Sequence, residues 1–249
     1  MVIVFDIGNT NIHIGSYEGQ ILKKRWHFPV ARKLSVTKVR RIITGGRVEG
    51  IAVASVVPSL TRQIQRLGRQ HHLSTKVVSS KMDCGLTFAY DDPTTLGADR
   101  IAAVVGALTR YQRDVIVVDA GTAITIDVAL STGQHLGGLI CPGMRILSEL
   151  MHKKTALLPR VVVRKTRNLI GQNTEECIQS GIFNGTMYML SGLIKEMRTR
   201  YDRDFLVVST GGTGELISRH VEDIDRYDPD LCMYGALIVY YRNVKNRKK

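Results

Sequence analysis

Asp6 and Asp119 stand in nearly the same phrase, VIVFDIGNTNIHIG over residues 2–15 and VIVVDAGTAITIDV over 115–128. Each copy runs four apolar, mostly β-branched residues into a carboxylate, then a glycine (Gly8 or Gly121), then short amide or hydroxyl side chains: Asn9 and Thr10 in the first, Thr122 in the second. Free backbone N–H groups and hydroxyls on such a tip can donate to phosphate oxygens, while the carboxylate holds Mg²⁺ directly or through its water shell. A single D-x-G-[NT]-[TA] is better read as an ordinary turn. Two copies, able to hold a phosphate chain from both sides, make phosphate chemistry the better reading.

The elements that must position these acids follow from periodicity. Apolar alternation resumes at Ile12 and Ile14, and again at Ile124, Ile126 and Val128, so each copy predicts a β-hairpin whose glycine is able to take a positive φ in a tight turn. QILKKRWHF (20–28) alternates like a third antiparallel strand, IAVASVV (51–57) reads as a buried strand, TRQIQRLGRQ (61–70) as an amphipathic helix and TKVVSS (75–80) as a return to strand. The second half repeats the plan, with strands at 115–119, 124–130 and 135–140, then helices, then FLVVST at 205–210. ADRIAAVVGALTRY (98–111) is apolar at helical spacing and bridges the halves, so two domains are expected, 1–112 and 113–249. A duplicated strand-turn-strand with a nucleotide between the halves is the arrangement of the actin-like kinases, an analogy at the level of fold.

Between and after the hairpins lie further candidates. YDDPTTLGADR (90–100) precedes the bridging helix; Pro93 and Thr94–Thr95 look like a turn and cap, which puts Asp99 in the first helical turn, where exposed N–H groups favour a carboxylate. Phosphoryl transfer to an alcohol needs a group to accept the hydroxyl proton, and a positioned Asp commonly supplies it. GGLICPGMRI (137–146) joins strand to helix through glycines that let backbone approach another object. NTEECIQSGIFNGTMYMLSGLI (173–194) opens with Thr174 and Glu175–Glu176 as a plausible cap and carries Ser180, Gly181 and Gly185, small enough for close approach of another helix. VVSTGGTGELI (207–217) reads as strand, Gly-Gly turn and helix, with Thr210, Gly211 and Gly212 where a base or ribose could approach the backbone.

Composition bounds the classes. At 249 residues, 44% hydrophobic and 23% charged, the chain can bury a large core. No segment has the apolar length of a membrane span, and the N-terminal apolar run lacks a basic leader, so a soluble, cytoplasmic protein with no membrane association is expected. Cys84, Cys141, Cys177 and Cys232 have neither zinc spacing nor C-x-x-C pairing and read as small, buried or half-buried hydrophobes. The net charge of +13 is carried partly by ARKLSVTKVRR (31–41), RVVVRKTR (160–167) and RNVKNRKK (242–249). Aromatics are only 6% and do not interleave with these runs, so a stacking platform is poorly supported and nucleic acid is not an expected partner.

Taken in order, DIGNTNIHIG, PTTLGADR, DAGTAITID, GGLICPG, the NT and QSG around Thr174, and STGG closely resemble the type III pantothenate kinases, from residue 2 to about 212. The resemblance implies an α/β fold of two duplicated actin-like (ribonuclease H-like) domains with mixed sheets flanked by helices. It also implies ATP-dependent phosphorylation of pantothenate to 4′-phosphopantothenate, at the entry to coenzyme A synthesis. It makes Asp6, Ile7, Gly8, Asn9, Thr10, Asn11, Ile12 and His13 the first phosphate loop, with Asp6 near Mg²⁺ through water, and puts Thr122 on the ATP phosphates. Gly97, Ala98, Asp99 and Arg100 would contact pantothenate, with Asp99 accepting the proton of its primary hydroxyl. Asp119 would help hold a monovalent cation, K⁺ or NH₄⁺, while Tyr90 and Thr174 would also touch pantothenate, Thr174 from the partner subunit of a homodimer. DPDLCMYGALIVYY (228–241) departs from the pattern at Tyr234 and Ala236, where aliphatic residues are expected.

A non-enzymatic transcription accessory factor of the same fold is the competing reading. Such a protein should have lost one of Asp6, Asp99 or Asp119, and all three are present. An actin-like kinase or phosphatase for another substrate would require the L-G-A-D-R block to be coincidence.

Overall fold

The computed structural model describes residues 1–30 and 36–245, so parts of the basic stretches 31–41 and 242–249 lie outside the described residues. The chain divides into two compact units, one of residues 1–113, 128–137 and 230–249, the other of 114–127 and 138–229.

The first unit opens with β1 (Val2–Ile7), β2 (Asn11–Glu18) and β3 (Ile21–Pro29), followed by α1 (Val36–Thr44), β4 (Gly50–Ser55), α2 (Pro58–Gln70) and β5 (Ser74–Val77). Its sheet has the order β3-β2-β1-β4-β5, antiparallel through β1, β2 and β3 and parallel through β1, β4 and β5. Successive side chains of a strand point to opposite faces, and β1 uses both. Ile3, Phe5 and Ile7 pack with Ile12, Ile14, Val39, Ile43, Ile64 and Leu67 on the face covered by α1 and α2. Val2 and Val4 belong to the opposite core, and the same alternation carries Asp6 to that face.

The opposite face is covered by α3 (Ala98–Tyr111), reached through the short β6 (Thr87–Phe88) and one 3₁₀ turn, Pro93–Thr95. The turn is capped by Asp92, whose Oδ1 accepts from Thr94 N and Oγ1 at 2.9 and 2.6 Å, rather than by the threonines the sequence suggests. The second unit takes in β7 (Val115–Ala120), most of β8 (Ala123–Ala129) and of β9 (Gln134–Pro142), then α4 (Met144–Lys154), α5 (Thr174–Tyr201), β10 (Leu206–Thr210), the five-residue α6 (Gly214–Ser218) and β11 (Arg226–Tyr227). The second sheet has the order β11-β10-β7-β8-β9-β6, with β7, β10 and β11 parallel.

The last element, α7 (Leu231–Lys245), belongs to the first unit, so that unit takes up more of the chain than residues 1–112. The reason is local: Leu231–Leu237 are buried without interruption, and a helix apolar on every side must be enclosed. Its partner is α3. A Cβ on Gly235 would lie 1.7 Å from Ala102 O, and one on Gly106 would lie 2.3 Å from Leu231 O, so the two backbones touch at glycines. Tyr234, unexpected from the motif, is accommodated there: its hydroxyl donates to Gln20 Oε1 at 2.8 Å and the Arg110 guanidinium stands 4.2 Å over its ring.

Candidate active site

In the first unit Asp6 is the penultimate residue of β1 and Asp99 sits in the first turn of α3. The α3–α7 contact brings Cys232 to both: its thiol hydrogen-bonds the Asp6 carboxylate, and its Sγ lies 3.8 Å from Asp99 O. Asp99 turns back over the start of its own helix, where Oδ1 accepts from Arg100 N at 2.8 Å. That rotamer depends on Gly97, whose Cβ would stand 2.5 Å from the same oxygen. Ala98 and Arg100 are buried beside it. Burial pushes the Asp6 carboxyl up to about 7; the Asp99 charge adds to the rise and the Cys232 hydrogen bond opposes it. A carboxylate disfavoured by burial and by a second carboxylate is a donor set that a hard divalent cation satisfies.

The turn between β1 and β2 closes with Gly8 N donating to Asn11 O at 3.0 Å. His13 pairs with Asp6 in the β1/β2 register and lies on the same face; burial, His27 and Arg25 push its imidazole down to about 4. Tyr90 tilts against His135 at 6.2 Å between ring centroids, and Phe88 meets the same imidazole at 6.0 Å.

The second unit builds its acid differently. Asp119, next to last in β7, lies opposite Thr210 of β10, and Gly211 after that threonine takes φ +84°. A Cβ on Gly211 would lie 2.3 Å from Asp119 Oδ1 and 2.7 Å from Ala120 O. Thr213 also reaches in, its N and Oγ1 both donating to Ala120 O at 2.9 Å. The turn through Gly121 and Thr122 is shorter than the first, with Gly121 N bonded to Ala123 O at 2.9 Å. Gly143, from the C-P-G junction, bonds Thr122 O, and its Cβ would fall 2.5 Å from the carbonyls of Gly121 and Thr122. The object that junction approaches is the second turn itself.

Three sequence expectations need correction. Neither Gly8 nor Gly121 adopts a positive φ, and a Cβ on either would meet only a carbonyl at ordinary contact distance, 3.5 or 3.7 Å. The backbone does not require glycine at either place. Second, α5 is capped by Asn173, whose Oδ1 accepts from Glu176 N at 2.9 Å, while Glu176 Oε2 accepts from Gln172 N; Thr174 is the first helical residue, exposed. Third, Cys177 is exposed on α5, not buried. Sequence reasoning also passed over Cys232, read as a core hydrophobe, because nothing in its neighbours announces that α7 returns to the end of β1.

Comparison with known proteins gives the family. A family model described as type III pantothenate kinase matches residues 2–196. A type III pantothenate kinase of Syntrophotalea carbinolica is 36% identical over 253 residues, covering 98% of this chain and 99% of the relative. Among solved structures, a Campylobacter jejuni protein provisionally assigned to the Baf family of transcriptional activators is similar at TM-score 0.61 and 24% identity, over 98% and 99% of the two chains. The ROK hexokinase of Thermus thermophilus is similar at TM-score 0.53 and 17% identity, over 98% and 99%. At those identities the structures speak for the fold alone, two mixed sheets flanked by helices in the manner of the actin-like kinases. The chain belongs to the type III pantothenate kinase family, phosphotransferases that act on pantothenate in coenzyme A biosynthesis.

Proposed function

We propose that the chain phosphorylates pantothenate with Asp99 as the general base and the β1–β2 turn as the first phosphate loop. The observation that carries the reading is the pair of carboxylates, Asp6 and Asp99, gathered at one end of α3 with the Asp99 rotamer set by Gly97 and the helix N-terminus. In the reaction the primary hydroxyl of pantothenate gives its proton to the Asp99 carboxylate as its oxygen bonds to the γ-phosphorus and the bond to ADP breaks. Gly8 and Gly121 support a phosphate-facing role for both turns: neither backbone requires glycine, since neither takes a positive φ and a Cβ would meet only a carbonyl at ordinary contact distance, so the glycine is better explained by an object outside the chain.

Mg²⁺, held by Asp6 through water, would neutralise charge on the phosphates. K⁺ or NH₄⁺ fits the oxygen-rich surroundings of Asp119, where Gly211 leaves room beside Oδ1 and the Ala120 carbonyl. Thr122 would bind ATP phosphates, and Gly97, Ala98, Arg100, Tyr90 and Thr174 would bind pantothenate.

A homodimer is favoured by the second unit. A groove of about 390 Å³, lined by Pro142, Leu147, Met151, Ile178, Gly181 and Gly185 among others, is almost wholly apolar. Gly181, Gly185 and Gly192 of α5 have open space where a Cβ would sit, and Tyr188 is 65% exposed. A second copy would cover this face and could bring Thr174 to its neighbour's substrate. Among the described residues no helix is long and apolar enough to cross a membrane, and four cysteines kept out of disulfides suit the reducing cytoplasm.

The test is a coupled assay with pantothenate, ATP and Mg²⁺, with and without K⁺. Asp99→Asn is expected to lower kcat by about 10²- to 10⁴-fold while leaving pantothenate binding and the melting temperature near wild type. A variant that keeps more than a tenth of wild-type turnover removes Asp99 from the role.

A further inference from the structure

β3 carries a residue that the family motifs do not reach. His27 faces His13 across the β2/β3 register, as His13 faces Asp6 across β1/β2, so the three form one row on the face that holds Asp99 and Cys232. The two imidazoles are stacked, with centroids 4.7 Å apart and planes 27° from parallel. His27 Nε2–H donates to Asn11 Oδ1 at 3.0 Å. An amide whose oxygen is engaged on one side presents its two Nδ2 hydrogens on the other. The strand is itself anchored at this point, because Arg25, two residues earlier on the same face, pairs with Asp230 at the start of α7.

We infer that His27 is a positioning residue for ATP: by holding Asn11 Oδ1 and stacking on His13, it turns the Asn11 amide so that its N–H donors face the phosphates. The inference rests on the reading of residues 6–13 as a phosphate loop. A bidentate amide free to rotate offers an anion its oxygen as often as its nitrogen, and the oxygen repels phosphate. Fixing the amide removes that half of the ensemble before ATP arrives, so the gain is in nucleotide affinity and not in the chemical step. Pantothenate, an alcohol acted on through Asp99, should not register the change.

Three variants of the full chain separate the hydrogen bond from the stack. His27→Ala removes both, His27→Phe keeps an aromatic ring over His13, and His27→Gln keeps an N–H donor for Asn11. Expected are a KM for ATP raised roughly three- to tenfold in the Ala and Phe variants, the effect of one neutral hydrogen bond, and restoration to within about twofold in Gln. The KM for pantothenate and kcat should stay within about twofold of wild type in all three. Affinity for a non-hydrolysable ATP analogue with Mg²⁺, measured by calorimetry, should follow the same order. An unchanged ATP affinity in His27→Ala, rescue by Phe instead of Gln, or a common loss in kcat and both KM values would overturn the assignment. A wild-type protein that binds the analogue but leaves pantothenate unphosphorylated would refute the substrate and still let the analogue affinities judge His27.

Discussion

Strands β1 and β7 each bury four residues in a row and leave the fifth, Asp6 or Asp119, partly exposed, and the strands that follow, β2 and β8, begin with one and the same alternation of burial. The acids nevertheless differ in everything beyond the hairpin. Asp6 is met by helices, with Asp99 from α3 and Cys232 from α7, and is left costly to ionise. Asp119 is met by a turn, where Gly211 and Thr213 crowd its strand end with backbone and hydroxyl. A repeated strand-turn-strand therefore reproduces the placement of a carboxylate and not its chemistry. The chemistry is assigned by whichever third element packs on the strand end, helix termini in one unit and a glycine turn in the other.

Exchanging each acid for its amide should show the contrast at its largest. Asp6→Asn is expected to reduce turnover on the order of 10³-fold if, as proposed, Asp6 anchors the water shell of Mg²⁺. The same variant should be more stable than wild type at pH 8 without Mg²⁺. The folded carboxyl titrates near 7 and the unfolded one near 3.8, so the native state holds a proton that the unfolded chain has already released, and stability falls as pH rises between those values. The amide carries no such penalty; its melting advantage, roughly 2–4 °C per kcal/mol relieved, should vanish below about pH 4. Asp119→Asn should cost about tenfold in K⁺ buffer, equivalent to 1.4 kcal/mol, and leave equal rates in K⁺ and Na⁺. An Asp119→Asn enzyme still stimulated by K⁺ would place the cation elsewhere.

The turn glycines sharpen the comparison at an intermediate scale. Gly211→Ala forces a side chain into the left-handed region and onto Asp119 Oδ1, so a loss of at least about 1–2 kcal/mol in chemical denaturation is expected. Gly8→Ala meets nothing closer than 3.5 Å and should unfold within about 0.5 kcal/mol of wild type while its KM for ATP rises. If Gly8→Ala unfolds as readily as Gly211→Ala, glycine serves the first turn's backbone after all. The smallest effect belongs to Cys232. Removing its hydrogen bond in Cys232→Val should move the acid limb of the Mg²⁺-dependent rate toward higher pH, whereas Cys232→Ser, which still donates, should follow wild type.

Much of this is legible in the sequence. The period-two runs located β1, β2, β7 and β8, and the 3.6-residue pattern located α3 with Asp99 in its first turn, because these signals are local. The family motifs named the acids. What stayed hidden depends on contacts distant in sequence. Gly235 and Gly106 look like two helix-weakening residues until their backbones are seen to touch. Cys232 and His27 carry no motif, and their roles come from which strand end or register position they face. The caps, Asn173 and Asp92, lie one or two residues before the threonines the sequence suggests, because the neighbouring side chains are equally good caps.

The glycine contact between α3 and α7 also sets an order of events during synthesis. Most of the first unit precedes the second in the chain, yet the helix that closes its core and seats Cys232 against Asp6 and Asp99 leaves the ribosome only after the whole second unit. Until then the α3 face of the first sheet lacks its cover, and the two carboxylates lack the element that gathers them. Vectorial folding, with the leading domain complete before the next begins, is closed to this topology. The nascent chain must carry an open apolar face through the synthesis of the second unit, and competence for phosphoryl transfer arrives in a single late step.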